Sequence, residues 1–150
     1  MQPYFPMFIN VKDWKILVAG GGKIAGRRVR TLLRFGAEIF IVAPEFCEEL
    51  DKTVREYGAQ IHVERRPWRE KDLDEMQMVL AATDDREVNR QIVSACKNRG
   101  IPVNTADDKT RCDFYFPSVV MNEDIVIGLN SGGEDPARTK AVREQIEEIL

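Results

Sequence analysis

The sequence predicts an α/β fold built on a mainly parallel, doubly wound sheet, and three observations carry that prediction. Apolar runs that read as strands alternate with segments of helical periodicity. The first run, Ile16-Leu17-Val18-Ala19, leads directly into Gly20-Gly21-Gly22-Lys23-Ile24-Ala25, which reads as a strand, a tight turn and the opening of a helix. No internal repeat or low-complexity tract interrupts the alternation. Strands joined through helices imply right-handed crossovers and helices on both faces of the sheet.

The elements follow in order. Lys23 to Phe35 carries apolar residues at Ile24, Val29, Leu32 and Leu33 and stops at Gly36, which is helical spacing with a glycine stop. Glu38 to Ala43 is a second buried strand, followed by Pro44. Cys47 to Tyr57 is a helix closed by Gly58, and Gln60 to Val63 is a short third strand. Met78 to Ala82 is a fourth strand, and Asp84-Asp85 can cap the helix Arg86 to Asn98 behind it. A fifth strand begins at Pro102-Val103-Asn104. The last third changes character. Phe114 to Met121 and Ile125 to Asn130 are strand-like and separated only by Asn122-Glu123-Asp124, so a hairpin is expected to add antiparallel strands to the parallel core. After Ser131-Gly132-Gly133, Asp135-Pro136 opens a final helix, with Asp at the cap and Pro as the first helical residue. No capping sequence precedes the end at Leu150, which points to a truncated helical region.

Composition narrows the function classes. A chain of 150 residues, 43% hydrophobic and 31% charged, suits a globular protein with a real core. A net charge of −3 argues against a general nucleic-acid binder. Cys47, Cys96 and Cys112 are odd in number and form no C-x-x-C pair, which favours a reducing compartment over a disulfide framework. No apolar run reaches membrane-spanning length and the N-terminus does not read as a signal peptide, so the expected setting is cytoplasmic, with no membrane partner.

The glycine turn is the strongest chemical signal. Gly20 permits the sharp turn, Gly22 lets backbone approach a pyrophosphate, and Ala25 lets the helix pack on the strand. The helix start then offers unpaired N–H groups and a positive dipole end to the phosphates. Gly20, Gly22, Lys23 and Ile24 are expected to line the pyrophosphate. Pro44 and Glu45 follow the second strand, where the adenine ribose is read, and Thr83 and Asp84 end the fourth, toward the nicotinamide half. Glu45 supplies an acid near the strand tip and no basic residue follows until Lys52, so NAD is preferred to NADP. The reading thus divides the chain into residues 1–112, a Rossmann-like NAD-binding domain, and 113–150, a hairpin and helix extension suited to dimerisation.

Further segments now line up. Tyr4-Phe5-Pro6-Met7-Phe8-Ile9 precedes the glycine motif. Ala81-Ala82-Thr83-Asp84-Asp85 with Val88-Asn89 lies at the fourth strand, and Val103-Asn104-Thr105-Ala106-Asp107 is followed by Cys112-Asp113-Phe114-Tyr115-Phe116-Pro117. Ser131-Gly132-Gly133 comes before Asp135-Pro136. In order and spacing, over essentially the whole chain, this resembles the precorrin-2 dehydrogenase family, the NAD-dependent part of siroheme synthases. The resemblance implies oxidation of precorrin-2 to sirohydrochlorin with reduction of NAD, in a protein that pairs into homodimers. Some family members also insert iron into the product, so a bifunctional dehydrogenase and ferrochelatase is one alternative. A non-catalytic NAD-sensing module is another. By motif match the resemblance assigns catalysis to Asp107, with Asp108 and Asp113 as substitutes. A carboxylate there could take a proton as the macrocycle gives up a hydride.

Other residues carry less. Lys23, Arg27, Arg28, Arg30 and Arg34 crowd the first helix and read as a solvated face, whereas Arg138, Lys140 and Arg143 on the last helix have the better case for holding substrate carboxylates. His62 has no Cys or His partner nearby, and no cluster has zinc spacing, so no resident metal is expected. Cys112 reads as a buried thiol, and Trp14 and Trp68 as covers at the core edges.

Overall fold

The computed structural model describes residues 3–150. They fall into two units, residues 10–113 and a second formed by residues 3–9 with Phe114–Leu150.

In the first unit, β1 (Lys15–Ala19), β2 (Glu38–Val42), β3 (Ile61–Glu64), β4 (Met78–Ala81) and β5 (Val103–Thr105) form one sheet in the order β3-β2-β1-β4-β5. Every pairing is parallel; Ile16 stands beside Ile39 on one side and Met78 on the other. Central strands of such a sheet are covered on both faces, which is why β1 and β4 are near-continuous apolar runs. Ile16, Val18, Ala19, Val79, Leu80 and Ala81 are fully buried. The helices α1 (Lys23–Leu33), α2 (Glu48–Glu56) and α3 (Arg86–Arg99) supply the connections together with short 3₁₀ turns. Leaving β3, the chain passes over to the far side of β1 to make β4. The carboxyl ends of β1 and β4 therefore flank the point where strand order reverses, the usual place for a ligand in an open α/β sheet.

Helix ends obey local chemistry. Gly36 (φ 77°) and Gly100 (φ 67°) stop α1 and α3 in the left-handed region that glycine enters without penalty. Asp85, and not Asp84, caps α3: its carboxylate accepts from the backbone N–H of Glu87 and Val88. The buried residues of α1 are Ala25, Gly26, Val29, Leu32 and Leu33. Ile24, expected in that stripe, is 44% exposed; as the second helical residue it sits at the open end, where no layer covers it. Trp68 packs against the cluster built from Leu17, Val79, Ile92 and Val103, as its reading as a core cover requires.

In the second unit, β6 (Ser118–Asn122) and β7 (Ile125–Leu129) are antiparallel and joined by a tight turn with Glu123 at φ 53°. The hairpin makes a two-stranded sheet of its own, so the expectation that it extends the parallel sheet is corrected. Loop length predicts a hairpin but says nothing about which edge, if any, it joins. The helix α4 (Pro136–Ile149) packs on β6, capped by Asp135, whose carboxylate accepts from Arg138 N–H at 2.8 Å. Tyr4 and Tyr115 stack with centroids 4.1 Å apart. Val120 is the one buried residue of β6, β7 and α4.

Candidate functional site

Three neighbouring glycines at the end of β1 differ in what requires them. At Gly20, φ is 135° and a Cβ would stand 2.2 Å from the Ala82 carbonyl oxygen; at Gly21 it would stand 1.9 Å from that of Glu45. These two let the turn pass against the loops that follow β4 and β2. Gly22 has extended backbone (φ −91°, ψ −168°), open to any residue, and a Cβ there would meet nothing within 4 Å. Its bareness serves no contact within the described chain. The α1 start that Gly22 caps has no side-chain cap and no acidic residue in its first turn, unlike the ends capped by Asp85 and Asp135. Unfilled space over Gly22, free first-turn donors and a positive dipole end together fit a dinucleotide pyrophosphate.

The predicted neighbours gather around this turn. Lys23 and Ile24 open α1 and are exposed, Ile24 offering an apolar surface beside the glycines. Pro44 and Glu45 lie just past the carboxyl end of β2, where the Glu45 carbonyl packs on Gly21. No hydrogen bond or ion pair to a described residue uses the Glu45 carboxylate, which leaves it available for ribose hydroxyls. Past β4, Asp84 is exposed, but Thr83 is spent locally: its hydroxyl lies 2.7 Å from Asn89 Oδ1 and accepts from Asp85 N–H. Thr83 therefore contributes the shape of this loop.

That shape is held by a residue to which the sequence reading gave no role. Asn89, 1% exposed, accepts from Thr83 N–H at 3.1 Å and donates Nδ2–H to the Thr83 carbonyl at 3.1 Å. The available signal was a polar residue heading the buried stripe Asn89, Ile92, Val93, Cys96 of α3, since a buried amide must find partners.

Asp107 lies beyond β5 in a loop tied at its base. Asp113 exchanges backbone and side-chain bonds with Val103 (2.9 Å from its N–H, 3.0 Å to its carboxylate) and takes a 2.8 Å bond from Lys97 Nζ. The Cys112 thiol accepts from Thr105 N–H and lies 3.3 Å from the Thr105 carbonyl. Burial pushes this thiol's pKa up, against the bond from Thr105 N–H and the nearby Arg28 cation, so it stays protonated. Asp108 bonds the Thr110 hydroxyl at 2.6 Å and Thr110 N–H at 3.0 Å; those bonds, with Arg111, hold its carboxyl below the usual range. Asp107 makes fewer bonds: Oδ1 accepts from the Thr105 hydroxyl at 2.5 Å, Oδ2 lies 3.7 Å from Arg86 Nε, and the side chain is 22% exposed. Arg28, expected on a solvated face, turns inward and donates to buried Asn104 at 2.6 Å. In the second unit Lys140 and Arg143 pair with Glu144 and Glu147 one turn on.

A glycine turn at the switch point of a parallel five-stranded sheet defines a dinucleotide-binding doubly wound domain, and comparison with known proteins agrees. The family described as "Putative NAD(P)-binding" matches residues 7–118. This chain is 42% identical to the "Probable multifunctional siroheme biosynthesis protein HemA" of Ruminiclostridium josui, over 97% of this chain and 28% of that protein. It is 36% identical to the siroheme synthase of Photorhabdus laumondii, over 98% and 31% respectively. Among solved structures it superposes on SirC, a precorrin-2 dehydrogenase, with a TM-score of 0.80 at 28% identity, covering 98% of this chain and 71% of that one. The chain belongs to the family described as putative NAD(P)-binding. It spans less than a third of the length of the curated relatives it matches.

Proposed function

We propose that this chain is an NAD-dependent dehydrogenase that oxidises precorrin-2 to sirohydrochlorin, with Asp107 as the group that takes the proton. The observation that carries the reading is the pairing of an uncapped, glycine-bare helix start at the switch point with a partly shielded carboxylate beyond the carboxyl end of β5. Gly20, Gly22, Lys23 and Ile24 hold the pyrophosphate, Glu45 with Pro44 takes the adenine ribose, and the loop of Thr83 and Asp84 supports the nicotinamide side. Bound there, the dinucleotide supplies a nicotinamide ring that accepts a hydride. The substrate must also lose a proton, and Asp107, steadied by the Thr105 hydroxyl, is the proposed acceptor. Asp113 is committed to Val103 and Lys97 and Asp108 to Thr110 and Arg111, which supports Asp107 over either.

Residues 1–112 then form the NAD-binding part, and 113–150 the part through which two copies pair. Exposed Phe5, Met7, Phe8, Ile125 and Ile149 in the second unit support such pairing. The cytoplasm is the proposed compartment, which suits three unpaired thiols.

The test is anaerobic NADH formation from precorrin-2 and NAD, with the NAD dissociation constant measured alongside. Asp107→Asn should lower turnover by about 10²-fold or more and leave NAD binding intact. Full activity in that variant refutes the assignment; NAD binding without turnover in the unaltered chain favours a sensing module.

A further inference from the structure

We infer that Arg86 and Arg90 form a carboxylate subsite beside Asp107, which holds an acidic side arm of the macrocycle while the ring reacts. The inference rests on the dehydrogenase reading and gives its polycarboxylate substrate a place to be held.

Arg86 and Arg90 are four residues apart on α3 and share a face. With Arg111, from the 3₁₀ turn Lys109–Arg111, they line a shallow surface cleft whose wall also contains Asp107 and Asp108. Its cations are unequally engaged. Arg111 is committed, its Nε 3.1 Å from Asp108. Arg86 and Arg90 have carboxylates near them only at 3.7 Å (Asp107) and 3.9 Å (Glu87), both too long for hydrogen bonds. Among the described residues, neither guanidinium has a hydrogen-bonded partner. Two forked donors thus line the cleft that carries the proposed base. A carboxylate bound in the fork of Arg90 would hold the carbon skeleton over this cleft, beside Asp107. The cleft is not closed behind: a wider groove shares Arg90 and Arg111 and continues along α3 to Trp68.

Steady-state kinetics of the full chain, with precorrin-2 varied at saturating NAD, tests this. For Arg90→Gln the KM for precorrin-2 should rise about fivefold, with kcat and the KM for NAD unchanged; Arg86→Gln/Arg90→Gln should raise it further. Arg90→Lys should restore only part, because an ammonium lacks the planar fork. Added salt should bring the unaltered chain toward the double variant. A double variant with an unchanged KM for precorrin-2 overturns the subsite and leaves the dehydrogenase reading standing. If the unaltered chain binds NAD but forms no NADH and shows no spectral shift with sirohydrochlorin, the dehydrogenase reading falls and the subsite with it.

Discussion

Gly22→Ala separates what the fold needs from what a ligand needs. Its backbone is extended and an added Cβ would meet nothing within 4 Å. The loss of unfolded-state freedom favours alanine by about 0.4–1 kcal/mol. Alanine is a poor cap, which takes back part of that. The net change should lie within about 1 kcal/mol, or about 2–4 °C in Tm for a chain of this size. The same methyl would project into the space where a pyrophosphate must approach backbone N–H groups. Losing one charge-assisted bond of about 1.5–3 kcal/mol weakens binding by about ten- to a hundredfold. Gly20→Ala is the contrast. With φ at 135° and the Ala82 carbonyl oxygen 2.2 Å from the new Cβ, it should cost about 3 kcal/mol or more. The assay is NADH titration by fluorescence, with thermal unfolding of the same samples. A Gly22→Ala protein that binds NADH normally would put the pyrophosphate elsewhere. One that loses stability as well would show that the open space over Gly22 has been misread.

The remaining predictions concern stability and reactivity. Asn89→Ala strands the Thr83 N–H and carbonyl; thermal unfolding should show a loss of about 2–4 kcal/mol, with weaker NAD binding as the loop after β4 loosens. Burial alone would raise the Asp72 carboxyl, but the bonds from Arg66 (2.6 and 2.9 Å) and Arg69 N–H (2.7 Å) outweigh it and hold it below the usual range. Its stabilisation is therefore complete above the unfolded carboxylate pKa, about 3.9, and is lost as pH falls through the lowered value. Acid titration of Asp72→Asn should show lower stability at neutral pH and a flatter profile below about pH 4. Burial, with Asp113 nearby, pushes the Cys96 thiol up to about 12, and Cys112 is raised as well. Half-buried Cys47 should then be the first thiol to react with a disulfide reagent, and a second thiol modified at the same rate in native protein would contradict the packing.

The parallel sheet was legible because β1, β2 and β4 are short apolar runs, and a strand buried on both faces has no other signature. The glycine turn after β1 was legible for a similar reason: glycine is needed where backbone passes backbone at Gly20 and Gly21, and those positions are adjacent in sequence. What escaped depends on contacts distant along the chain. Nothing local to Asn89 says that it reaches back to Thr83, and nothing local to Asp113 says that it closes on Val103. Arg28 looked solvated because it stands in a basic cluster with Arg27 and Arg30; the acceptor that draws it inward, Asn104, lies 76 residues away. The hairpin was legible from its turn, but its separation from the main sheet depends on pairing choices that alternation does not encode.

The bonds between Val103 and Asp113 make a closed ring of the chain between them, with Asp107 and Arg111 carried on the ring's outer arc. A ring fastened at its base can change length or chemistry at the arc without disturbing the sheet beneath, much as binding loops vary on a fixed scaffold. Residues 106–111 can then vary while the strands, and the glycine turn after β1, keep their sequence. The clamp therefore does more than steady one carboxylate: it lets the arc that carries the proposed base vary independently of the glycine turn after β1.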